Sequence, residues 1–307
     1  MVGIELEPEL AAVIEALPGA SGGPVAVAPL ASGITNRNFR VDFPGSSVVV
    51  RLFGRDTELL GIDRRAERAA AQAAARSGVA PEVVAFLPEH GALVTRFVDA
   101  ERLPPERLER RDVLAEVVRS VRAIHAMDPI PASFDPFRIV REYRRVAEER
   151  GVPAPSAYRD ALRAADRIRD AFQAAPMPMV PCHNDLLNAN FLWWDGRVLI
   201  VDYEYAGMGD PFFDLGNLAV NNRLSEAAQH ALLELYFGEV TPARAARLAL
   251  MRIVSDLREA MWGVAQQAIS ALEVDYAEYA DRHLARCLES AADGRFEDWL
   301  SQAAGPA

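Results

Sequence analysis

Residues 182–207, CHNDLLNANFLWWDGRVLIVDYEYAG, constrain the fold of this chain more tightly than any other stretch. Two apolar runs, FLWW and RVLIV, flank Asp195-Gly196, a pair suited to a two-residue hairpin because both turn positions take positive φ. With that pair as the turn, Trp194 faces Arg197, and counting outward sets Asn190 opposite Val201, beside Asp202. An amide and a carboxylate then meet at the open end of the hairpin, and such oxygen ligands suit Mg²⁺. Asp185 lies five residues before Asn190, in the loop entering the hairpin, within reach of a hydroxyl presented at a metal-bound phosphate. An Asp that takes a hydroxyl proton, with an Asn and a second Asp holding metal, is an arrangement for phosphoryl transfer.

Around this stretch the chain changes character. Between residues 25 and 52 the short runs VAVAPL, FRVDF and VVVRLF are separated by turn residues, which predicts a small antiparallel sheet. Residues 62–77, IDRRAERAAAQAAARS, read as a helix ended by Gly78. Strand-like VVAFL and ALVTRFV follow, with Glu89-His90-Gly91 as the turn between them. Beyond about Asp99 the pattern is helical, interrupted by one strand pair at 191–201. The expectation is an α+β chain with a boundary near 97–101, dividing residues 1–98 from 99–307.

Composition removes several chemistries. All 33 basic residues of the 307 are arginine. Without lysine there is no Walker A loop, no Schiff-base mechanism and no protein-kinase lysine. A net charge of -11 argues against a nucleic-acid backbone surface and a polybasic membrane patch, and suits a cationic substrate. Two cysteines, Cys182 and Cys287, make neither a disulfide framework nor a metal cluster. The first residues are acidic and helix-patterned, unlike a secretory signal, and no run reaches the ~18 apolar residues of a membrane span. A cytoplasmic location is expected.

His183-Asn184-Asp185, Asn190 and Asp202-Tyr203-Glu204-Tyr205-Ala206-Gly207 resemble the aminoglycoside phosphotransferase and choline kinase superfamily. DPFFDLGN, residues 210–217, is closer to its choline/ethanolamine kinase branch, bacterial members included. The resemblance runs from about Leu30 to Tyr279 and is strongest over 183–222. It implies a two-lobed, protein-kinase-like fold with a nucleotide-binding lobe over 1–98 and a catalytic and acceptor-binding lobe over 99–307. It implies ATP and Mg²⁺ as cofactors, Asp185 as the base, and Asn190 and Asp202 as metal ligands. Asp214 becomes a buried acid bracing the loop, and His183 a structural residue beneath the metal site.

On the nucleotide side, LASGITNRNFRV resembles the family's phosphate-covering loop, in which backbone N–H groups at Gly33 and the side chains of Ser32, Thr35 and Asn36 meet phosphate oxygens. Arg51 ends VVVR where a protein kinase has its lysine, and Glu67 on the following helix is its expected partner. The segment TRFVD, 95–99, stands as the hinge whose backbone from Arg96 to Val98 reads the adenine edge.

On the acceptor side, DLREAMWGVAQQAIS, 256–270, resembles the choline kinase helix that supplies aromatic faces to a quaternary ammonium. Trp262 matches a family tryptophan, while Glu259 stands where eukaryotic members have a second one and Asn221 where a glutamate is frequent. Asp256, Glu259 and Trp262 recur at helical spacing and are expected on one face as substrate contacts, with Glu204 as a further acid near the metal or a substrate contact. The expected function is ATP- and Mg²⁺-dependent phosphorylation of a small cationic metabolite such as choline or ethanolamine, with no nucleic-acid or membrane partner. The nearest rival is phosphorylation of an aminoglycoside or other hydroxyl compound. A catalytically silent nucleotide-binding regulator would lack the base or a metal ligand, and Asp185, Asn190 and Asp202 are all present.

Overall fold

The computed structural model describes residues 6–17, 23–30, 35–270, 272 and 274–305. Helix α1 (Pro8–Ala16) precedes strands β1 (Ala26–Leu30), β2 (Arg37–Phe43) and β3 (Ser46–Leu52). Helix α2 (Arg64–Arg76) and strands β4 (Val83–Leu87) and β5 (Ala92–Arg96) complete an antiparallel five-stranded sheet in the order β1-β2-β3-β5-β4. Period-two alternation decides what each face of β3 does. Val48, Val50 and Leu52 point inward and pack with Leu10, Val13 and Ile14 of α1, whereas Val49 and Arg51 face a cavity. Asp63 caps α2 by accepting from the N–H groups of Arg65 and Ala66, so the helix starts two residues later than the sequence pattern alone suggests.

The remainder is mainly helical: β6 (Glu101–Arg102), α3 (Arg111–His125), α4 (Pro136–Glu149), α5 (Tyr158–Ala174), β7 (Val180–Cys182), β8 (Phe191–Trp194), β9 (Arg197–Ile200), β10 (Gly207–Gly209), α6 (Pro211–Asn221), α7 (Glu226–Phe237), α8 (Pro242–Ile269), α9 (Tyr276–Ala291) and α10 (Phe296–Ala303). The strand content exceeds the single pair expected. β7 pairs with β10, and β6 adds to β8. Segments of two or three residues are too short to show an alternation of their own. No helix among the described residues is long and apolar enough to cross a membrane.

The β8–β9 hairpin takes the register that its turn dictates. Asp195 and Gly196 have φ of 47° and 74°, Trp194 pairs with Arg197, and the Val201 N–H donates to the Asn190 carbonyl at 3.0 Å. The loop entering it, 183–190, has little regular structure, and Asn184 sits in the left-handed region at φ 67°. Asp214, in the first turn of α6, supplies what the loop lacks. Its carboxylate accepts from the N–H groups of His183 (2.8 Å) and Asn184 (2.6 Å), and His125 Nε2 lies 3.0 Å from Oδ2. Helix α6 is in turn set by its crossing with α8. A Cβ on Gly216 would stand 2.8 Å from Met251, so the two helices approach as closely as they do only because this position is glycine.

Burial pushes the Asp214 carboxyl up, but hydrogen bonding and charge from His125 outweigh it and hold the group below the usual range. Stability from such a group is present above its unfolded value, about 3.9, and is lost as pH falls through the folded one. Asp214→Asn is therefore expected to cost about 3 kcal/mol at pH 7. The gap to the parent chain should narrow below about pH 4. Urea unfolding of both proteins at the two pH values checks this, and an equal gap at both would remove the ionised carboxylate from the explanation.

Candidate active site

A cavity of about 530 Å³ lies between the sheet and the helical part. Its helical wall carries Asp185, Asn190 and Asp202, and its sheet wall carries Thr35, Val49 and Arg51. Asn190 Nδ2 donates to the Asp185 carbonyl (2.9 Å) and carboxylate Oδ2 (3.3 Å), so the hairpin and the loop before it are tied at this point. His183 stands beneath: its Nε2 lies 3.0 Å from the Val201 carbonyl, and its Nδ1 accepts from the Asp185 N–H at 3.2 Å. Burial lowers the pKa of this imidazole, favouring the neutral ring such a relay of backbone contacts requires. Asp202 has φ 72°, unusual for a residue with a Cβ, which turns the chain sharply as it leaves β9.

Burial also pushes Asp185 well above the usual carboxylate range. Arg258 opposes the shift, while Glu259, Asp202 and Glu204 add to it. A carboxylate raised in this way is a better proton acceptor than one in water, and it sits beside an amide and a carboxylate that both offer hard oxygen.

On the sheet side an ionic network runs from α2 into the cavity. Arg51 pairs with Glu67 at 2.9 Å and with Asp202. Burial disfavours the Arg51 charge, yet Asp202, Glu67 and Glu204 more than offset it and its pKa is raised. Glu67 stands behind Arg51, buried, and also accepts from Arg64 at 2.8 Å. Glu204 is likewise tied to protein: Oε2 accepts from Asn36 Nδ2 (2.8 Å) and Arg64 Nη1 (3.2 Å). Burial and then Asp202 push its pKa up to about 7, against Arg64 and Arg51. Asn36 is committed at its other end too, since Oδ1 accepts from the Gly54 N–H at 3.1 Å. A Cβ on Gly54 would stand 2.3 Å from the Thr35 carbonyl, so this crossing excludes any side chain there. Ser32 and Gly33 lie outside the described residues.

At the hinge, the Arg96 N–H donates to Glu82 and the Phe97 N–H to Ser47. Neither N–H is available to a ligand. Val98, which lines the cavity, has no partner for its N–H among the described residues. The expectation of a reading edge from Arg96 to Val98 thus narrows, for N–H donors, to Val98.

The far end of the cavity is walled by Tyr205, Arg258, Glu259, Trp262 and Tyr279. Trp262 Nε1 donates to the Tyr205 hydroxyl at 2.8 Å, and its ring meets Tyr279 edge-on at 5.5 Å. Glu259 accepts from Arg258 (2.8 Å) and the Tyr279 hydroxyl (2.8 Å). Burial raises its pKa, but Arg258 more than reverses this and keeps the carboxylate ionised. Two sequence expectations fail here. Asp256 does not line the cavity; it is buried and held by Arg286 (2.9 Å) and His283 (3.0 Å). Steps of three residues at about 100° each leave Asp256 about 120° round the helix from Trp262, and at that angle it meets His283 and Arg286 of α9 instead of the cavity. Asn221 is also absent from the wall and instead donates to Glu259 at 3.4 Å.

Sequence reasoning did not single out Arg64, Tyr205, Arg258 or Tyr279. Arg64 carried a signal, being three residues before Glu67 on a helix. Arg258 carried none, because in a chain whose only strong cation is arginine one more arginine on a helix is unremarked.

The sequence signature of the phosphotransferase enzyme family matches residues 26–250. The crystal structure of a choline/ethanolamine kinase family protein from Mesorhizobium loti is 33% identical, with a TM-score of 0.84, covering 96% of this chain and 98% of that one. Protein LicA from Haemophilus influenzae is 28% identical over 211 residues, 66% of this chain and 60% of that protein. Ethanolamine kinase 2 from Mus musculus is 30% identical over 179 residues, 55% of this chain and 46% of that kinase, so the alignments span about half the length of these curated relatives. With the signature covering most of its length, this α+β chain belongs to the phosphotransferase enzyme family.

Proposed function

We propose that the chain transfers the terminal phosphoryl group of ATP to a hydroxyl of a small, cationic metabolite, an amino alcohol of the choline or ethanolamine class. The observation that carries this reading is the convergence of Asp185, Asn190 and Asp202 on one wall of a single cavity, opposite Arg51. In this reading residues 1–98 hold the nucleotide and residues 99–307 carry the catalytic and acceptor groups. The Val98 N–H meets the base edge, and Arg51, fixed by Glu67, directs its guanidinium at phosphate oxygens.

Asn190 and Asp202 fit a magnesium ion by their donor set. Asn190 has committed its amide nitrogen to Asp185, which leaves Oδ1 for a cation, and Asp202 gives one oxygen to Arg51 and keeps the other. A magnesium ion bound there supplies charge neutralisation to the phosphates. Asp185 takes the proton of the acceptor hydroxyl as the hydroxyl oxygen attacks the terminal phosphorus of ATP; the bond from that phosphorus to the bridging oxygen breaks, ADP leaves, and the Asp185 carboxylate ends the step protonated. At the acceptor end the ionised Glu259 and the rings of Trp262 and Tyr279 favour a cation. Asn221 acts through Glu259, so the acidic group facing the acceptor is carried by α8.

Measuring ATP turnover against choline, ethanolamine, other amino alcohols and aminoglycosides tests the reading directly. Turnover confined to aminoglycosides would move the acceptor class, and MgATP binding without transfer to any of them would favour a silent regulator. Asp185→Ala is expected to keep MgATP binding and lose about 10²- to 10⁴-fold in kcat. A purified variant with parental kcat would remove Asp185 from the base role.

Asp202→Asn and Asn190→Ala should each raise the Mg²⁺ concentration giving half-maximal activity, and chelation with EDTA should abolish turnover. Magnesium titrations indistinguishable from the parent protein in both variants would reject these ligands.

Trp262→Ala should raise the acceptor KM about two- to thirty-fold with the ATP KM nearly unchanged, as expected for loss of a cation–π contact of about 0.5–2 kcal/mol. Melting temperature read alongside distinguishes this from collapse of the core, since Trp262 also anchors Tyr205. A stable variant with unchanged acceptor KM would reject the cation wall.

A further inference from the structure

The acceptor end of the cavity holds two carboxylates, Asp185 and Glu259, with one buried guanidinium between them. Arg258 is 1% exposed, and its Nη1 lies 2.8 Å from Glu259 Oε1 and 3.5 Å from Asp185 Oδ1. Its guanidinium also lies over the face of Tyr205, 4.4 Å from the ring centroid. That ring is immobilised at both ends: the hydroxyl accepts from Trp262, and the backbone carbonyl accepts from Asn184 Nδ2 at 3.0 Å. Glu259 is held as firmly, by the Tyr279 hydroxyl on one oxygen and by Asn217 and Asn221 on the other. Asn217 reaches back through its own Oδ1 to the N–H of Leu186, the residue after Asp185. Arg258 is thus fixed by groups that are themselves fixed to the loop carrying Asp185.

The two oxygens of Asp185 are thereby distinguished. Oδ2 receives the Asn190 amide at 3.3 Å, and Oδ1 faces Arg258. We infer that Arg258 is a positioning residue for phosphoryl transfer, setting the plane of the Asp185 carboxylate together with Asn190 and shielding it from the charge of Glu259. The inference rests on the reading of Asp185 as the base. Without Arg258 the carboxylate keeps one directional contact of two and faces an unshielded negative charge, and a misplaced catalytic group typically costs up to about 10²-fold in rate.

The test is a double-mutant cycle of Arg258→Gln with Asp185→Asn, reading kcat and both KM values. Choline or ethanolamine serves as acceptor, whichever turns over faster, and hydrolysis of ATP by water serves if neither does. Arg258→Gln alone should lower kcat about ten- to a hundredfold with the MgATP KM within about twofold. In the Asp185→Asn background it should have no further effect, because no carboxylate remains to be positioned. An equal proportional loss in both backgrounds, or an unchanged kcat in the single variant, overturns the inference. Parental kcat in Asp185→Asn alone shows instead that the base has been misidentified, a failure of the underlying reading. If Arg258→Gln does not fold, Arg258→Gln with Glu259→Gln removes both buried charges together. That protein should fold and remain at least tenfold slow at saturating acceptor, and parental kcat there overturns the inference.

Discussion

Two hydrogen bonds from backbone N–H groups to the carboxylate of Asp214 are what the cavity depends on. From His183 to Leu187 the loop runs neither as helix nor as extended strand, so its N–H groups have no ladder to join, and buried N–H groups without partners are costly. Asp214 satisfies two of them from the first turn of α6, and the left-handed Asn184 is thereby held in place. The position of α6 depends on its close crossing with α8 at Gly216, and α8 also carries Arg258, Glu259 and Trp262. One helix crossing therefore sets the distance between Asp185, the proposed base, and the Trp262 wall, the proposed acceptor surface.

The sheet side is organised by charge rather than by packing. Arg64, Glu67, Arg51 and Asp202 alternate in sign from α2 into the cavity, and Glu204 closes the network back onto Arg64. Each buried carboxylate has a guanidinium beside it, which is the condition under which buried ions are tolerated. The planar, multi-donor guanidinium suits this linking role: Arg64 serves Glu67, Glu204, Asn36 and Thr57 at once.

Much of this was legible in the sequence, and the reasons differ by element. The hairpin register could be counted because Asp195-Gly196 marks its turn and the strand period is two, and the count delivers Asn190 beside Val201 without any structure. Helix α2 was legible from its alanine stripe and from Gly78 at its end. Strands β6, β7 and β10 were not, because they exist only by pairing with partners distant in sequence. The Asp256 error has a geometric cause, the drift of a three-residue repeat round a helix of 3.6 residues per turn. Arg258 was hidden for a compositional reason, since residue type carries information only when an alternative type could have been used.

The use of Arg51 on β3 in a chain without lysine has a consequence for how the cavity responds to its surroundings. Arg51 and Arg258 in its walls have pKa values raised by the acids around them and keep their charge in any ordinary buffer. Changes of acidity near neutrality therefore reach the cavity through its acids, Glu204 foremost with its pKa pushed up to about 7. Acylating reagents that silence lysine-dependent nucleotide sites find no side-chain amine anywhere in this chain. The cationic face of the cavity is permanent, set by the covalent structure of guanidinium and not by solution conditions.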